Sequence, residues 1–577
     1  MKMTFMVALL FTLLTLSCKT CVHDSDDSSQ PVSFTLLHLN DTHSNFLSSL
    51  LKMSFPPDSE VYRLPVGSVA RIAAVVDSIQ GEKENVLFVH AGDMVQGSLF
   101  YTLFGGEADA AVYNAMGLDV MNLGNHEFDR GSEGLLVLLE DAEFPIVCSN
   151  LDVTDDTLLA GMIVPYTLIE VDGEQVGIIG LIVEELFNVS SPSAETEILP
   201  IAQTAQHMIE QLENDGINKI ILMTHIGYEN DIELASLLSG ADVIVGGHTH
   251  SMLGDFSSVG LNSEGEYPTV VSGADGEDVL IVQAGTRAAL LGNLTVDFDE
   301  MGHIEGYSGA PLIVTGGEIQ DDDRNPVEGE ALARVQELIN ENSLIVTAQE
   351  DPAIRELVGI YEAELMAFSH EVVGTAAEDL LHQRVPGGDL PGGSLIAPVI
   401  CDAMLWKTDQ LGLGADFAIL NAGGARIAVP AGDITVGTVY TLMPFGNSLA
   451  ALDMSGAEVV AVLEDALSNI FDDGNSDGSF PYTAGLRYTA EARQQEGERV
   501  ISIEVLGPQG WAPIDPAETY RVVTVAFLAR GGDGYATFSG VAALDTGFID
   551  AEVFMDYLLE IGTLIPAESR VTFIPQN

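Results

Sequence analysis

Phe34-Thr35-Leu36-Leu37-His38-Leu39 followed by Asn40-Asp41-Thr42-His43 is an apolar, strand-length run that stops on an amide, a carboxylate and an imidazole. Packing those groups inside a sheet without partners costs free energy, so their place is at a strand end that opens onto a site. The pattern recurs downstream. Val86–Val89 runs into His90-Ala91-Gly92-Asp93, and Val120–Leu123 into Gly124-Asn125-His126-Glu127-Phe128-Asp129. Ile220–Thr224 runs into His225, and Val243–Val245 into Gly246-Gly247-His248-Thr249-His250. Further strands are expected at Ile146–Cys148, Val176–Leu181 and Val279–Val282. Amphipathic stretches lie between them, at Val69–Ile79, Ser132–Asp141, Ala202–Asn214 and Asp231–Leu238, with apolar residues at i, i+3 and i+4. From Val32 to about Thr315 this alternation predicts a layered α/β domain with its polar chemistry at the carboxyl ends of the strands.

The chain has 577 residues, 87 of them acidic and 21 basic, for a formal charge of −66. Its length favours more than one domain, and 47% hydrophobic against 19% charged residues is a globular balance. Nucleic-acid polymers are excluded as partners, since no basic surface can be assembled to neutralise a run of phosphates. A small phosphorylated ligand is compatible with this charge if metal ions or a few placed arginines cancel it locally. The scarcity of basic residues also suits a salty medium that screens self-repulsion.

At the N-terminus, Met1-Lys2-Met3 precedes an apolar run from Phe5 to Leu16, then Ser17-Cys18. A basic start and a short apolar core read as an export signal too short to span a bilayer. The pattern resembles a bacterial lipoprotein signal with Cys18 as the lipidated first residue and a membrane lipid anchor as the consequence. Thr15 stands where leucine is preferred and Leu16 where a small residue is, so simple secretion is the other reading. Either way the protein is expected to be exported, to the periplasm or the cell surface. Cys21, Cys148 and Cys401 are too few and too scattered for a disulfide framework or a thiolate metal site, and the last two read as buried fillers.

Taken singly, the strand-end motifs are weak. Asp41-x-His43 and Gly92-Asp93 are ordinary turn sequences, and His225 reads equally as a hydrogen-bonded surface residue. Gly-His-Thr-His is rarer, because crowding two imidazoles is unfavourable unless something binds them. Five such pieces in order, each at a strand end, predict one metal centre. Oxygen and nitrogen donors without thiolate suit divalent Mn, Zn, Fe or Co.

The sequence of motifs D-x-H, G-D, G-N-H-[DE], H and G-H-x-H resembles that of the calcineurin-like metallophosphoesterases. More closely, the chain resembles the two-domain 5′-nucleotidase family, over essentially everything after residue 32. That resemblance implies a four-layer α/β/β/α N-terminal domain with a C-terminal α/β substrate-binding domain. It implies one ion held by Asp41, His43, Asp93 and His250, and a second by Asp93, Asn125, His225 and His248, with Asp93 shared. Some members carry Gln where this chain has His250. It further implies that His126 stabilises the transferring phosphoryl group, with Asp129 orienting its ring; Glu127 reads as local scaffolding.

Residues 316–327 are turn-rich and acidic, and helical patterns follow at Glu328–Ile339 and Pro352–Ser369. The expected organisation is a signal over 1–18, a tether over 19–31, a catalytic domain over 32–327, a helical linker over 328–371 and a substrate domain over 372–577. Helices are expected there at Ala397–Trp406 and Ala457–Leu467. In this last part, Asn421-Ala422-Gly423-Gly424-Ala425-Arg426 offers close backbone approach and a guanidinium fork. Pro444-Phe445-Gly446-Asn447 and Phe527-Leu528-Ala529-Arg530-Gly531-Gly532-Asp533 each present a ring on a Gly-rich loop, as a base clamp would. The resemblance implies that Phe445 and Phe527 sandwich the base, Asn421 and Asp533 meet the nucleoside, and Arg426 meets the phosphate. It gives Arg384 a phosphate role too, although the loop from His382 to Leu395 departs from the family pattern.

The function implied is hydrolysis of nucleoside 5′-monophosphates, with a small-molecule nucleotide held in the cleft between domains that reorient about Pro352–Ser369. Alternatives on the same scaffold are a 2′,3′-cyclic nucleotide phosphodiesterase with 3′-nucleotidase activity and a UDP-sugar hydrolase. Hydrolysis of sulfur-bound carriers is disfavoured by the paired phenylalanines, and a non-catalytic surface-binding lipoprotein by the complete set of ligand types.

Overall fold

The structure is a computed structural model that describes residues 31–575, apart from 57–59, 389, 473–475 and the side chain of Asn188. The export signal and Cys18 lie outside these residues. Among the described residues no helix is long and apolar enough to cross a membrane.

Two β-sheets form the heart of the N-terminal part. Val32–Leu39 is central in the larger sheet, pairing antiparallel with Leu290–Phe298 and parallel with Val86–His90, beyond which lie Val120–Asn122 and Ile146–Val147. In the second sheet Ile220–His225 sits between Glu174–Ile182 and Val243–Val245, all parallel, and Asp278–Val282 follows. The period-2 alternation of side chains explains how the sheets stack. Phe34, Leu36, Leu87 and Val89 meet Ile178, Ile221, Met223 and Val245 in a fully buried layer between the sheets. Leu37, Leu39, Phe88 and Met121 face the other way, onto apolar residues of the helices Val69–Glu82, Glu107–Ala115 and Gly131–Asp141. On the second sheet, Ile179, Leu181, Ile220 and Leu222 pack against Ala205, Ile209, Leu212 and Leu234 of Ile201–Asn214 and Tyr228–Leu237. This is the expected α/β/β/α layering. Burying each large apolar side chain in it contributes on the order of 1.5–3 kcal/mol.

The stretch read as a linker is attached to this first body. Its strand Ile345–Thr347 pairs parallel with Leu312–Thr315 in the larger sheet. Asp351 caps the helix Pro352–Phe368 by accepting from the amides of Ala353 and Ile354, and Pro352 occupies the first turn, where no amide partner is needed. Ile354 and Val358 then bury on the first body. The chain crosses to the second body only after Phe368, where Ser369 and Glu371 carbonyls accept from the amides of Gly437 and Val436.

The second body has its own core. A five-stranded sheet runs Pro481–Ala484, Phe417–Asn421, Thr519–Val525, Ser448–Ser455, Ala543–Ile549, with the helices Ala397–Gln410, Gly456–Phe471 and Asp550–Ile561 packed on it. Cys148 and Cys401 are buried, free thiols, matching their reading as fillers.

Candidate metal centre and nucleotide cleft

All seven expected ligand residues converge, from the ends of strands in both sheets rather than from one. Among the described residues, Asp41, His43 and His250 form one group whose donor atoms lie within 4.8 Å of one another, and Asp93, His225 and His248 form another. A third group, His43, Asp93 and His126, links the two. The Nε2 atoms of His43 and His250 are 3.0 Å apart, and Asn125 Oδ1 is 2.9 Å from His248 Nδ1. Asp93 Oδ2 lies 3.0 Å from His225 Nε2, and Asp41 Oδ1 lies 3.3 Å from His250 Nε2.

The backbone is bent to achieve this. Asp41, His43, Asp93, His248 and His250 all have positive φ, between 50° and 79°. A non-glycine residue held there costs about 1–3 kcal/mol, and such strain gathers where a site dictates geometry. Glycine is obligatory at two neighbouring points. A Cβ on Gly92 (φ +93°) would lie 2.6 Å from Gly124 N and 2.8 Å from His225 Nδ1, and one on Gly247 would lie 2.7 Å from the same nitrogen.

Surrounding groups fix each ligand. His225 Nδ1 lies 2.9 Å from the Ala91 carbonyl and donates to it, which leaves Nε2 as the lone-pair nitrogen. That Nε2 is buried without a hydrogen bond of its own and points at carboxylate oxygens, an arrangement a cation satisfies. Burial opposes charge on His225, yet Asp93 and Asp41 outweigh it and raise the ring to about 9. Burial likewise pushes Asp41 up, but His250 and His225 prevail and hold it at about 2. The carboxylates thus demand positive charge, from protons on the rings or from metal. This donor set fits a divalent cation.

Glu127 is buried and accepts from the amides of Asp93, Met94, Val95 and Gly124 at 2.6–3.3 Å. It clamps the Asp93 loop to the Asn125 loop, in keeping with its reading as scaffolding. His90 staples a further pair: its Nδ1 accepts from Gly92 N, so its Nε2–H donates to Thr42 Oγ1 at 2.9 Å. Burial lowers this ring to about 3, keeping it neutral. His126 directs Nε2 toward Asp93, at 3.8 Å, while its Nδ1 binds Asp129 Oδ2 at 2.7 Å. Burial disfavours a charged His126, but Asp129 and Asp93 overcome that and hold it well above the ordinary imidazole range.

Two adjoining cavities complete the cleft. One, of about 560 Å³, is lined by His43, Asp93, Asn125, His126, His248 and His250. The other, of about 370 Å³, is lined by all six expected substrate residues: Arg384, Asn421, Arg426, Phe445, Phe527 and Asp533. Arg287, Asn447 and Phe527 line both. Phe445 and Phe527 are 42% and 44% exposed, so neither ring is committed to the core. Arg426 sits 5.5 Å from the Phe445 ring, and Asn421 Nδ2 donates to Asp533 Oδ2 at 2.6 Å. Arg384 pairs with Asp477 at 2.6 Å. Both expected phosphate arginines therefore lie on the ring side of the cleft, and the arginines on the metal side are Arg287 and Arg530. Sequence reasoning missed these two, together with His90 as a staple. A lone arginine in a loop carries no periodic signal, and only folding reveals what it faces.

The family described as "Calcineurin-like phosphoesterase" matches residues 34–252, and that described as "5′-nucleotidase, C-terminal domain" matches residues 372–540. A probable 5′-nucleotidase of Treponema pallidum is 35% identical over 92% of this chain and 93% of its own length. The solved structure of Haemophilus influenzae NAD nucleotidase superposes with a TM-score of 0.81 at 32% identity, over 95% of this chain and all of that one. A 5′-nucleotidase precursor from Thermus thermophilus gives 0.59 at 36% identity, over 94% of this chain and all of that one. With the donor cluster, the cleft and these likenesses in agreement, the chain belongs to the two-domain 5′-nucleotidase family and is a phosphoric monoester hydrolase.

Proposed function

We propose that the chain hydrolyses nucleoside 5′-monophosphates to nucleoside and phosphate, with two divalent ions in the donor cluster and the base between Phe445 and Phe527. The observation that supports this most strongly is a pair of adjoining cavities that share Arg287, Asn447 and Phe527, one lined by His43, Asp93, Asn125, His248 and His250 and the other by the half-exposed rings of Phe445 and Phe527. In a chain of 21 basic against 87 acidic residues, Arg287, Arg384, Arg426 and Arg530 all line it, which favours an anionic ligand.

Asp41, His43, Asp93 and His250 would hold one ion, and Asp93, Asn125, His225 and His248 the other. Bound there, the ions supply charge neutralisation at the phosphoryl group and a water acidified to near neutrality. The protein's own groups do the remaining work. Asp93 ties the two halves of the centre together. Asp129 and Asp93 favour the protonated His126 ring, and with Nδ1 committed to Asp129 its Nε2–H would be free to donate to a phosphoryl oxygen and then to the leaving ribose oxygen. Asp129 fixes the ring's orientation. Asn421 and Asp533, already bonded to each other, present polar edges to the nucleoside, while Arg426 and Arg384 supply positive charge. Export, with a lipid on Cys18, remains part of the same proposal.

The test is hydrolysis by the chain starting after Cys21, with Mn²⁺ or with chelator, followed by phosphate release for the monophosphates and by product chromatography for the cyclic compound, UDP-glucose and NAD. The substrates are 5′-AMP, 3′-AMP, UDP-glucose, NAD and 2′,3′-cyclic AMP. Chelator-sensitive release mainly from 5′-AMP is expected. Preference for the 3′ or cyclic compound overturns the substrate while leaving the metal centre. The rings make a separate prediction. Base–aromatic stacking contributes about 1–3 kcal/mol, so Phe445→Ala is expected to raise KM for 5′-AMP about tenfold or more, with kcat changed less than about threefold. An unchanged KM in steady-state kinetics would remove Phe445 from the clamp.

A further inference from the structure

The His126–Asp129 pair belongs to the first body, yet the second body reaches it through one side chain. Gln96 follows the Asp93 loop, is buried, and is held at a φ of 74°. Its Oε1 accepts from the Gly97 amide at 3.0 Å, which fixes the amide so that Nε2 carries both free hydrogens. One goes to Asp129 Oδ2 at 3.0 Å, the same oxygen that receives His126 Nδ1. The other goes to Glu552 Oε2 at 3.4 Å, from the first turn of the helix Asp550–Ile561 in the second body.

Glu552 is anchored on the first body at a second point. Its Oε1 accepts from Thr102 Oγ1 at 2.6 Å, and Thr102 is in turn 2.7 Å from Tyr440 OH of the second body. The other oxygen of Asp129 accepts from Ser190 Oγ at 2.8 Å. Ser190 ends the short helix Leu186–Val189, on which the second-body turn at Gly547 packs. A Cβ built on Gly547 would lie 2.6 Å from the Val189 carbonyl, 3.4 Å from Asp129 Oδ1 and 3.5 Å from His126 Cε1. The second body thus touches groups that hold the pair, and its turn at Gly547 lies beside the pair itself.

We propose that Gln96 and Glu552 are positioning residues that couple the docking of the two bodies to the orientation of His126. With the bodies together, Glu552 takes one hydrogen of the Gln96 amide and fixes the other on Asp129, which locks Asp129 and, through it, the His126 ring facing the cleft. With the bodies apart, Gln96 loses its second acceptor and Asp129 loses its fixed donor, so the ring is less well held. The centre is then fully assembled only when the domain that carries the base clamp is in place. This rests on the hydrolase reading above, in which His126 serves the phosphoryl group.

The test compares Gln96→Leu, Glu552→Ala and Glu552→Gln, each alone and combined with His126→Ala, using Mn²⁺ and whichever of the five phosphoesters the wild type turns over. Groups that orient a working residue typically carry about 10–100-fold of its effect. Gln96→Leu and Glu552→Ala are therefore expected to lower kcat about tenfold or more with KM within about twofold. Glu552→Gln, which keeps an acceptor oxygen, should recover part of the loss. In the His126→Ala background neither should lower the rate further, because they act only through that ring. Losses that multiply with His126→Ala, or single variants equal to wild type, overturn the coupling. Wild type that turns over 3′-AMP but not 5′-AMP overturns the substrate and leaves the coupling testable. If no phosphoester is turned over, a double-mutant cycle on the melting of the full chain decides: additive effects of Gln96→Leu and Glu552→Ala reject the link, non-additive ones support it.

Discussion

Asp93→Ala is expected to lower kcat for phosphate release by at least about a thousandfold, the loss seen when one member of a catalytic unit is removed. The reason is its position. Asp93 is the carboxylate common to the group with His225 and His248 and the group with His43 and His126. Its Oδ2 faces His225 Nε2 at 3.0 Å and His126 Nε2 at 3.8 Å, and its Oδ1 accepts from the His126 amide at 2.9 Å. Removing it takes negative charge from both halves of the centre and releases the backbone of His126, the residue proposed to serve the phosphoryl group. Asp93→Asn keeps the shape and the amide contact but not the charge, so it separates the two effects: it should be nearly as inactive if charge dominates. Colorimetric phosphate release, with metal content measured by plasma mass spectrometry, checks both. An Asp93→Ala protein that retains activity and two bound ions would overturn the metal assignment.

The candidate metal-site residues were legible because polar groups directly after β-branched apolar runs violate the pattern of a buried strand, and five such violations in order have one economical explanation. Element positions were legible for the same reason, with ends up to four residues off: Val32–Leu39 begins two residues before the expected Phe34, Tyr228–Leu237 three before Asp231, and Ala397–Gln410 runs four past the expected Trp406. What the pattern does not carry is partnership. Val86–His90 and Ile220–His225 look alike as sequence, yet they belong to different sheets, and the site lies where the ends of both sheets meet. Leu290–Phe298 pairs antiparallel with the central strand, an arrangement that alternating strands and helices do not announce. Pro352–Phe368 reads as a connector because its pattern is helical and it lies between two domains; the burial of Ile354 and Val358 on the first body depends on a groove no local window contains. Gln96, Glu552 and Arg287 gain their meaning only from residues far away in sequence, so nothing in their own surroundings singled them out; Arg530 lies in the Phe527–Asp533 loop, but only the fold shows that it lines the metal side of the cleft.

The largest effect on stability is expected at Glu127, which touches no substrate. Its carboxylate takes up four amides, from Asp93, Met94, Val95 and Gly124, in an interior where each amide left unpaired costs about 1–3 kcal/mol. Burial and the nearby charge of Asp93 push Glu127 up to about 7, with the amides and His225 pulling the other way. The folded chain therefore binds this proton more tightly than the unfolded chain, whose ordinary value is 4.5. Stability from this tightly held proton is fully present below about 4.5 and is lost as pH rises from there through about 7. Glu127→Gln cannot replace it: the amide oxygen accepts part of the set, while its NH₂ is turned toward donors. A loss of about 2–4 kcal/mol is expected, seen as a lower melting temperature in calorimetry of the first transition. The loop that Glu127 holds carries Asp93, and supporting groups of this kind affect metal affinity by about 10–100-fold. Titration calorimetry with Mn²⁺ at a temperature where the variant is folded should therefore show weaker binding as well. Unaltered melting together with unaltered binding would mean that the four amides find other partners, and that the strained loop at Asp93 is held by the sheet ends alone.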